Sequence, residues 1–246
     1  MSKQAVAIET PDGVARAGLF APDGSEDAAL PGAILYMDAF GPRPALDEMA
    51  ERLAAAGYRV LVPDLYYRAG DYGTFDARTA FTQDDTRQRL RGLMAATTQA
   101  MSERDGAAFL DALAKAGSAG KCGAVGYCMG GARALIAAAA YPDRIAAAAS
   151  FHGGNLASEA PESPHLRAAS MAGRVYVGCA GIDQSFPPEQ SARLVRALRE
   201  AEVDHTLENY AGMAHGWAVP DHNVYDPAGA ERHWKRLLDL FGETLR

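Results

Sequence analysis

Lys121-Cys122-Gly123-Ala124-Val125-Gly126-Tyr127-Cys128-Met129-Gly130-Gly131-Ala132 decides the fold. Residues 121–125 have the length and apolar character of a buried strand, and the alanine-rich run to residue 140 has the composition of a helix. Between them, Gly126-x-Cys128-x-Gly130-Gly131 suits a sharp strand-to-helix turn, where glycines let the helix backbone pass close by. Cys128 then sits in a strained turn at a helix N-terminus, a place that favours the thiolate, the nucleophilic form of cysteine. The competing reading is a buried cysteine among packing glycines. The strand–turn–helix context favours the nucleophile.

Outward from this turn, β-like runs alternate with helical patterns. Strands are expected at 5–8, 14–20, 33–37, 59–62, 121–126, 145–151, 174–179 and 205–210. Helices are expected at 46–53, near 85–102 and 104–116, and at 130–140, 189–201 and 228–241. Leu46, Met49, Ala50 and Leu53 fall at helical spacing, and Gly57 suits the C-terminal cap. The run 33–37 is apolar throughout, as in a strand buried on both faces. Such alternation predicts one α/β domain over 1–246, with a mostly parallel eight-stranded sheet and helices on both faces. An irregular excursion at about 65–84, rich in aromatic and charged residues, is expected to cross one face near the site.

Composition narrows the function. The chain has 246 residues, 48% of them apolar, and a formal net charge of −7. An acidic chain without a basic cluster is a poor partner for nucleic acid or anionic membranes. Its longest apolar run, 134–141, is too short to span a bilayer, and the N-terminus lacks a hydrophobic signal core. A cytoplasmic protein is the default expectation. Three cysteines do not make a disulfide framework, and without CxxC or HExxH neither a metal nor a cofactor is expected.

A cysteine nucleophile needs a base, and the base an orienting acid, in the chain order nucleophile, acid, histidine. Of six histidines, His215 alone combines that order with a loop directly after the last strand, at the sheet edge where open α/β sheets bind ligands. His205 starts the same strand at the other edge, and His233 falls within the final helix. His152 follows a strand and could line the site, but it precedes any acid. His165 and His222 lie in loops without such a context. Asp183, just after the strand 174–179, is the acid, or else the N-terminal cap of the helix near Pro187. Backbone N–H groups of Met129 and Ala39 are candidate oxyanion donors. Asp38 would point into the site beside Cys128 and take the thiol proton or hold a neutral hydrogen bond, or else be a turn residue before Gly41-Pro42. Cys122 and Cys179 read as core fillers.

Together these residues resemble the dienelactone hydrolase family of α/β-hydrolases. The likeness runs from about 34 to 240. It rests on Phe40-Gly41, on Ala54-Ala55-Ala56-Gly57-Tyr58 leading into Val62-Pro63-Asp64-Leu65-Tyr66, on Gly126–Gly131, and on the stretch from Tyr210 to His215-Gly216. The resemblance implies a Cys–Asp–His triad, here Cys128, Asp183 and His215, that hydrolyses esters and lactones. Two features depart from the family pattern. Asp38 stands where members often carry glutamate, and Gly216-Trp217-Ala218-Val219-Pro220 lacks the arginine with which dienelactone-cleaving members hold a substrate carboxylate.

The expected function is hydrolysis of a small ester or lactone by Cys128. The alternatives are a non-catalytic small-molecule binding protein, or a thioesterase or peptidase on the same scaffold. Trp217, Tyr66, Tyr67, Arg68, Arg87 and His152 are candidate substrate-binding residues. With Trp217 and Val219 in the last loop, neutral substrates are expected to be preferred over a carboxylate.

Overall fold

The computed structural model describes residues 2–25 and 28–246. Eight strands form one sheet: β1 (Ser2–Thr10), β2 (Gly13–Ala21), β3 (Leu30–Tyr36), β4 (Arg59–Pro63), β5 (Ser118–Tyr127), β6 (Ile145–Phe151), β7 (Arg174–Ile182) and β8 (His205–Ala214). Their order is β1-β2-β4-β3-β5-β6-β7-β8. The β1–β2 and β2–β4 pairings are antiparallel, and every later pairing is parallel. This is the expected single-domain, mostly parallel α/β sheet.

Six α-helices pack on it: α1 (Pro44–Ala55), α2 (Asp84–Ala96), α3 (Gln99–Lys115), α4 (Met129–Ala140), α5 (Pro188–Glu200) and α6 (Pro227–Thr244). From β3 the chain crosses through α1 to β4 on one side, then returns to β5 on the other side of β3. Right-handed crossovers therefore place α1 and α3 on opposite faces. Arg52 of α1 pairs with Glu231 of α6 and lies 4.7 Å from the Trp234 ring, so α6 shares the α1 face. α4 packs with α3 on the other face. Apolar residues on both faces of β3, β5 and β6 are buried, as continuous apolar strands require.

The reversal at β3 leaves a crevice at the C-terminal ends of β3 and β5, the usual ligand position in open α/β sheets. The 65–84 excursion covers one side of it. Phe40, Phe75, Ala80 and Leu90 form a small separate apolar cluster, which ties that excursion and α2 to the loop after β3.

Boundaries differ from the sequence reading at two informative places. The helix expected over 85–102 breaks at Thr97, because the Thr98 side chain accepts from the Met101 N–H and starts α3 anew. β7 and β8 run past 179 and 210 to a last pairing of Ile182 with Ala214. Among the described residues, no helix is long and apolar enough to cross a membrane, and no cluster of His, Cys, Asp and Glu is arranged to hold a metal.

Candidate active site

The turn between β5 and α4 carries Cys128 at φ +55° and ψ −121°, a strained conformation for a non-glycine residue. The glycines make it reachable. A Cβ on Gly126 would lie 1.9 Å from the Gly130 carbonyl oxygen, and one on Gly130 would lie 2.4 Å from the Tyr36 and Met37 carbonyls. Backbone meets backbone at both contacts, so no side chain can yield. The first turn of α4 is thereby seated against the end of β3, and Cys128 is left partly exposed.

The Ile182–Ala214 pairing sets the next two residues, Asp183 and His215, side by side. β8 reaches it through extra residues, with Gly212 at φ +77°. His215 Nδ1 lies 2.7 Å from Asp183 Oδ2. The other Asp183 oxygen accepts from the Ser185 N–H at 2.8 Å and hydroxyl at 2.6 Å. Burial would raise the Asp183 carboxyl, but His215 and Ser185 outweigh it and hold the group below the usual carboxylate range. The N-terminal cap of α5 is Pro187, so Asp183 is not a helix cap.

Burial also opposes protonation of His215. The charges of Cys128 and Asp183, with hydrogen bonds to both side chains, overcome it and push the imidazole up to about 10. Cys128, His215 and Asp183 line one pocket of about 680 Å³ between the 65–84 excursion and the loops after β3, β6, β7 and β8.

The sequence model of the dienelactone hydrolase family matches residues 16–245. This chain belongs to the dienelactone hydrolase family. It is a hydrolase, on an α/β-hydrolase fold. A carboxymethylenebutenolidase of Rhodococcus opacus is 27% identical over 218 residues, which span 86% of this chain and 81% of that one. A dienelactone hydrolase-like promiscuous phosphotriesterase from metagenomic libraries superposes with a TM-score of 0.80 at 25% identity, over 100% of both chains. A Klebsiella pneumoniae structure superposes with a TM-score of 0.86 over 98% of both chains at 22% identity, a likeness of fold.

The other expected site residues divide sharply. The Met129 N–H is among those a helix start leaves without an intrahelical acceptor. The Ala39 N–H makes no hydrogen bond among the described residues. Tyr66 does not line the pocket. It is fully buried, and its hydroxyl donates to the Ala39 carbonyl at 2.9 Å and meets Met129 Sδ at 3.5 Å, bracing the two loops together.

Asp38 departs from expectation. It is fully buried and bonded on both oxygens: Oδ1 accepts from the Phe40 N–H and Arg43 Nη1, and Oδ2 from Arg43 Nη2 and His222 Nε2. Arg43 also grips Asp221 with Nε and Nη2, at 2.6 and 2.8 Å. Burial would raise the Asp38 carboxyl, yet His222 and Arg43 keep it low. Its place is in a buried charge network rather than against the thiol.

Five more substrate-binding expectations need correction. Trp217 is fully buried and stacks on Tyr210 at 4.5 Å, behind the pocket. Tyr67 bonds Thr10 and Asp105, and Arg68 pairs with Asp12 and Asp105, so both are turned away. Arg87 pairs with Asp84 on the surface of α2. His152 is buried behind the triad, its ring centroid 5.1 Å from that of His215.

The pocket wall also carries His222, Gln99 and Arg133, to which the sequence assigns no role at the site. His222 packs edge-on against Phe40 at 5.3 Å. Arg133 had a sequence signal: it is the one charge in the otherwise apolar run 129–140.

Proposed function

We propose that this chain hydrolyses small esters and lactones with Cys128 as nucleophile, His215 as proton carrier and Asp183 as its orienting partner. One observation carries the reading. The last paired residues of β7 and β8 deliver a hydrogen-bonded Asp183–His215 pair to the pocket wall that holds the strained Cys128.

The thiol proton passes to His215, and Sγ attacks the carbonyl carbon. The carbonyl π electrons move to oxygen, where the Met129 and Ala39 N–H groups stabilise the charge. As the C–O bond breaks, His215 returns its proton to the departing oxygen, leaving a thioester on Cys128; with a lactone, that oxygen stays tethered to the acyl chain. Acylation removes the thiolate charge, the strongest support for protonated His215. The imidazole is then free to take a proton from water as the water attacks the thioester. Collapse of the second tetrahedral intermediate expels the thiolate and releases the acid.

The test combines turnover with trapping. Wild-type protein should hydrolyse p-nitrophenyl acetate and a simple butenolide, and rapid quenching should give an acyl adduct that peptide mapping places on Cys128. Cys128→Ala should lose both turnover and adduct. Wild-type turnover in that variant would overturn the nucleophile assignment.

A further inference from the structure

The loop after β6, residues 152–155, supplies none of the three reacting residues, yet it is bonded to the loops that carry two of them. At one end His152 Nδ1 accepts from the Cys128 N–H. At the other, the Asn155 N–H donates to the Ser185 carbonyl at 2.7 Å, two residues beyond Asp183. His152 and Asn155 adopt φ of +40° and +55°, left-handed conformations that persist where the surroundings hold them. What this loop holds, on the acid side, is Ser185. A Cβ on Gly154 would lie 2.9 Å from Ser185 Oγ and 3.1 Å from Ser185 Cβ, so the serine side chain rests against bare backbone.

Ser185 in turn surrounds the Asp183–His215 pair. Its N–H and its hydroxyl both donate to Asp183 Oδ1, at 2.8 and 2.6 Å. Ser185 Oγ also lies 3.3 Å from His215 Nδ1. Having given its proton to Asp183, the hydroxyl turns a lone pair toward the Nδ1–H, whose main acceptor is Asp183 Oδ2 at 2.7 Å. Two effects follow. Donors to Oδ1 stabilise the charged carboxylate, and Ser185 is among the groups that hold Asp183 low. The carboxylate also cannot turn about its Cβ–Cγ bond without giving up short, charge-assisted bonds.

That restraint matters because His215 exchanges protons in three places: with Cys128 Sγ, with the departing oxygen and with the attacking water. Its ring is aimed by one bond, from Nδ1 to Asp183. A displacement of about 1 Å at such a group costs on the order of 10²-fold in rate.

We propose that Ser185 is a positioning residue of the triad, whose hydroxyl locks Asp183 onto His215 and so keeps the imidazole aimed at the thiol and at the attacking water. The proposal rests on the hydrolase reading above. Ser185 lines the pocket, so the test also separates a positioning role from contact with the substrate.

Ser185→Ala removes only the hydroxyl and keeps the backbone bonds to Asp183 and Asn155. With p-nitrophenyl acetate, kcat and kcat/KM should fall together by about tenfold or more, leaving KM within about twofold. The loss should depend on Asp183: adding Ser185→Ala to Asp183→Ala should cost no more than about twofold further. Unchanged kcat, a raised KM with kcat retained, or a full additional loss in the double variant would each overturn the proposal. Proton NMR at neutral pH supplies a readout without turnover. The His215 Nδ1–H resonance should lie far downfield in wild type. In Ser185→Ala it should move upfield and exchange faster with water, at an unchanged melting temperature. That change in a protein that hydrolyses no ester would sink the hydrolase reading while upholding the role of Ser185. A resonance that is the same in both proteins, or absent from both, would sink the role of Ser185 whatever the rates.

Discussion

The backbone N–H of Cys128 reaches Nδ1 of His152 at 3.2 Å and shares itself with the Phe151 carbonyl, also at 3.2 Å. A donor at Nδ1 requires the lone pair there, so the ring proton of neutral His152 sits on Nε2. Burial, with the nearby His215 and His222, pulls the His152 pKa well below its usual value. His152 therefore supports the elbow from behind as a neutral ring and has no free basic nitrogen to offer the thiol. His215→Ala should lower kcat/KM by on the order of 10⁴-fold, as in comparable triads, and His152→Ala by much less. A melting curve beside each rate separates lost fold from lost base. An equal loss in a fully folded His152→Ala would move the base to His152.

A charge on Cys128 supports the protonated ring of His215. His215 is raised to about 10 against burial, and the charge of Cys128 is the foremost of the raising influences. Replacing the thiol removes that charge while leaving Asp183 in place. The imidazole resonances of His215 should thus titrate at clearly lower pH in Cys128→Ala than in wild type, as followed by NMR. The same downward shift should appear when Cys128 is capped as a neutral thioether. An unchanged titration would mean that Asp183 alone sustains the protonated ring.

The three cysteines should separate cleanly in reactivity. Burial pushes the Cys122 thiol up, and the Cys179 thiol up to about 12, whereas Cys128 faces the pocket. Alkylation follows thiolate character and access. Brief treatment with iodoacetamide at neutral pH, followed by peptide mapping, should place the label on Cys128 before the other two. Label on Cys179 first would contradict the exposure of the elbow.

The sheet was legible because its strands are short apolar runs between turn residues, and each of the eight expected runs lies inside an observed strand except at Met37, one residue past β3. The elbow was legible because backbone clashes leave no substitute for its glycines. What escaped was side-chain partnership over long separations. Arg43 and Asp221 are 178 positions apart, and no local period marks such a pair. Tyr67 and Arg68 were placed near the site because an excursion rich in rings and charge reads alike whichever way it turns. In the fold they turn toward Asp12 and Asp105. Arg133 was visible as a lone charge in an apolar helix, but what makes it unusual is that it has no ion-pair partner among the described residues, which only the packed structure displays.

Asp38 is the centre of a buried network whose loss should be felt in stability and in turnover. Its four accepted hydrogen bonds join the loop that carries Ala39 to Arg43 and, through His222 and Asp221, to the loop after His215. Asp38→Asn keeps the shape but removes the charge and turns amide donors toward Arg43 or His222. Breaking a buried pair in this way costs about 3–5 kcal/mol. Because the folded-state pKa of Asp38 is depressed, its contribution is complete above the unfolded carboxyl value of about 3.9 and is lost as pH falls through the folded value. The gap in urea-unfolding free energy between wild type and Asp38→Asn should therefore stay constant from pH 7 to about 4.5 and narrow only below about 4. kcat should fall as well, since the Ala39 N–H would lose its fixed position. A gap that closed between pH 6 and 5 would mean that histidine protonation, rather than the Asp38 carboxylate, governs the stability of these two loops.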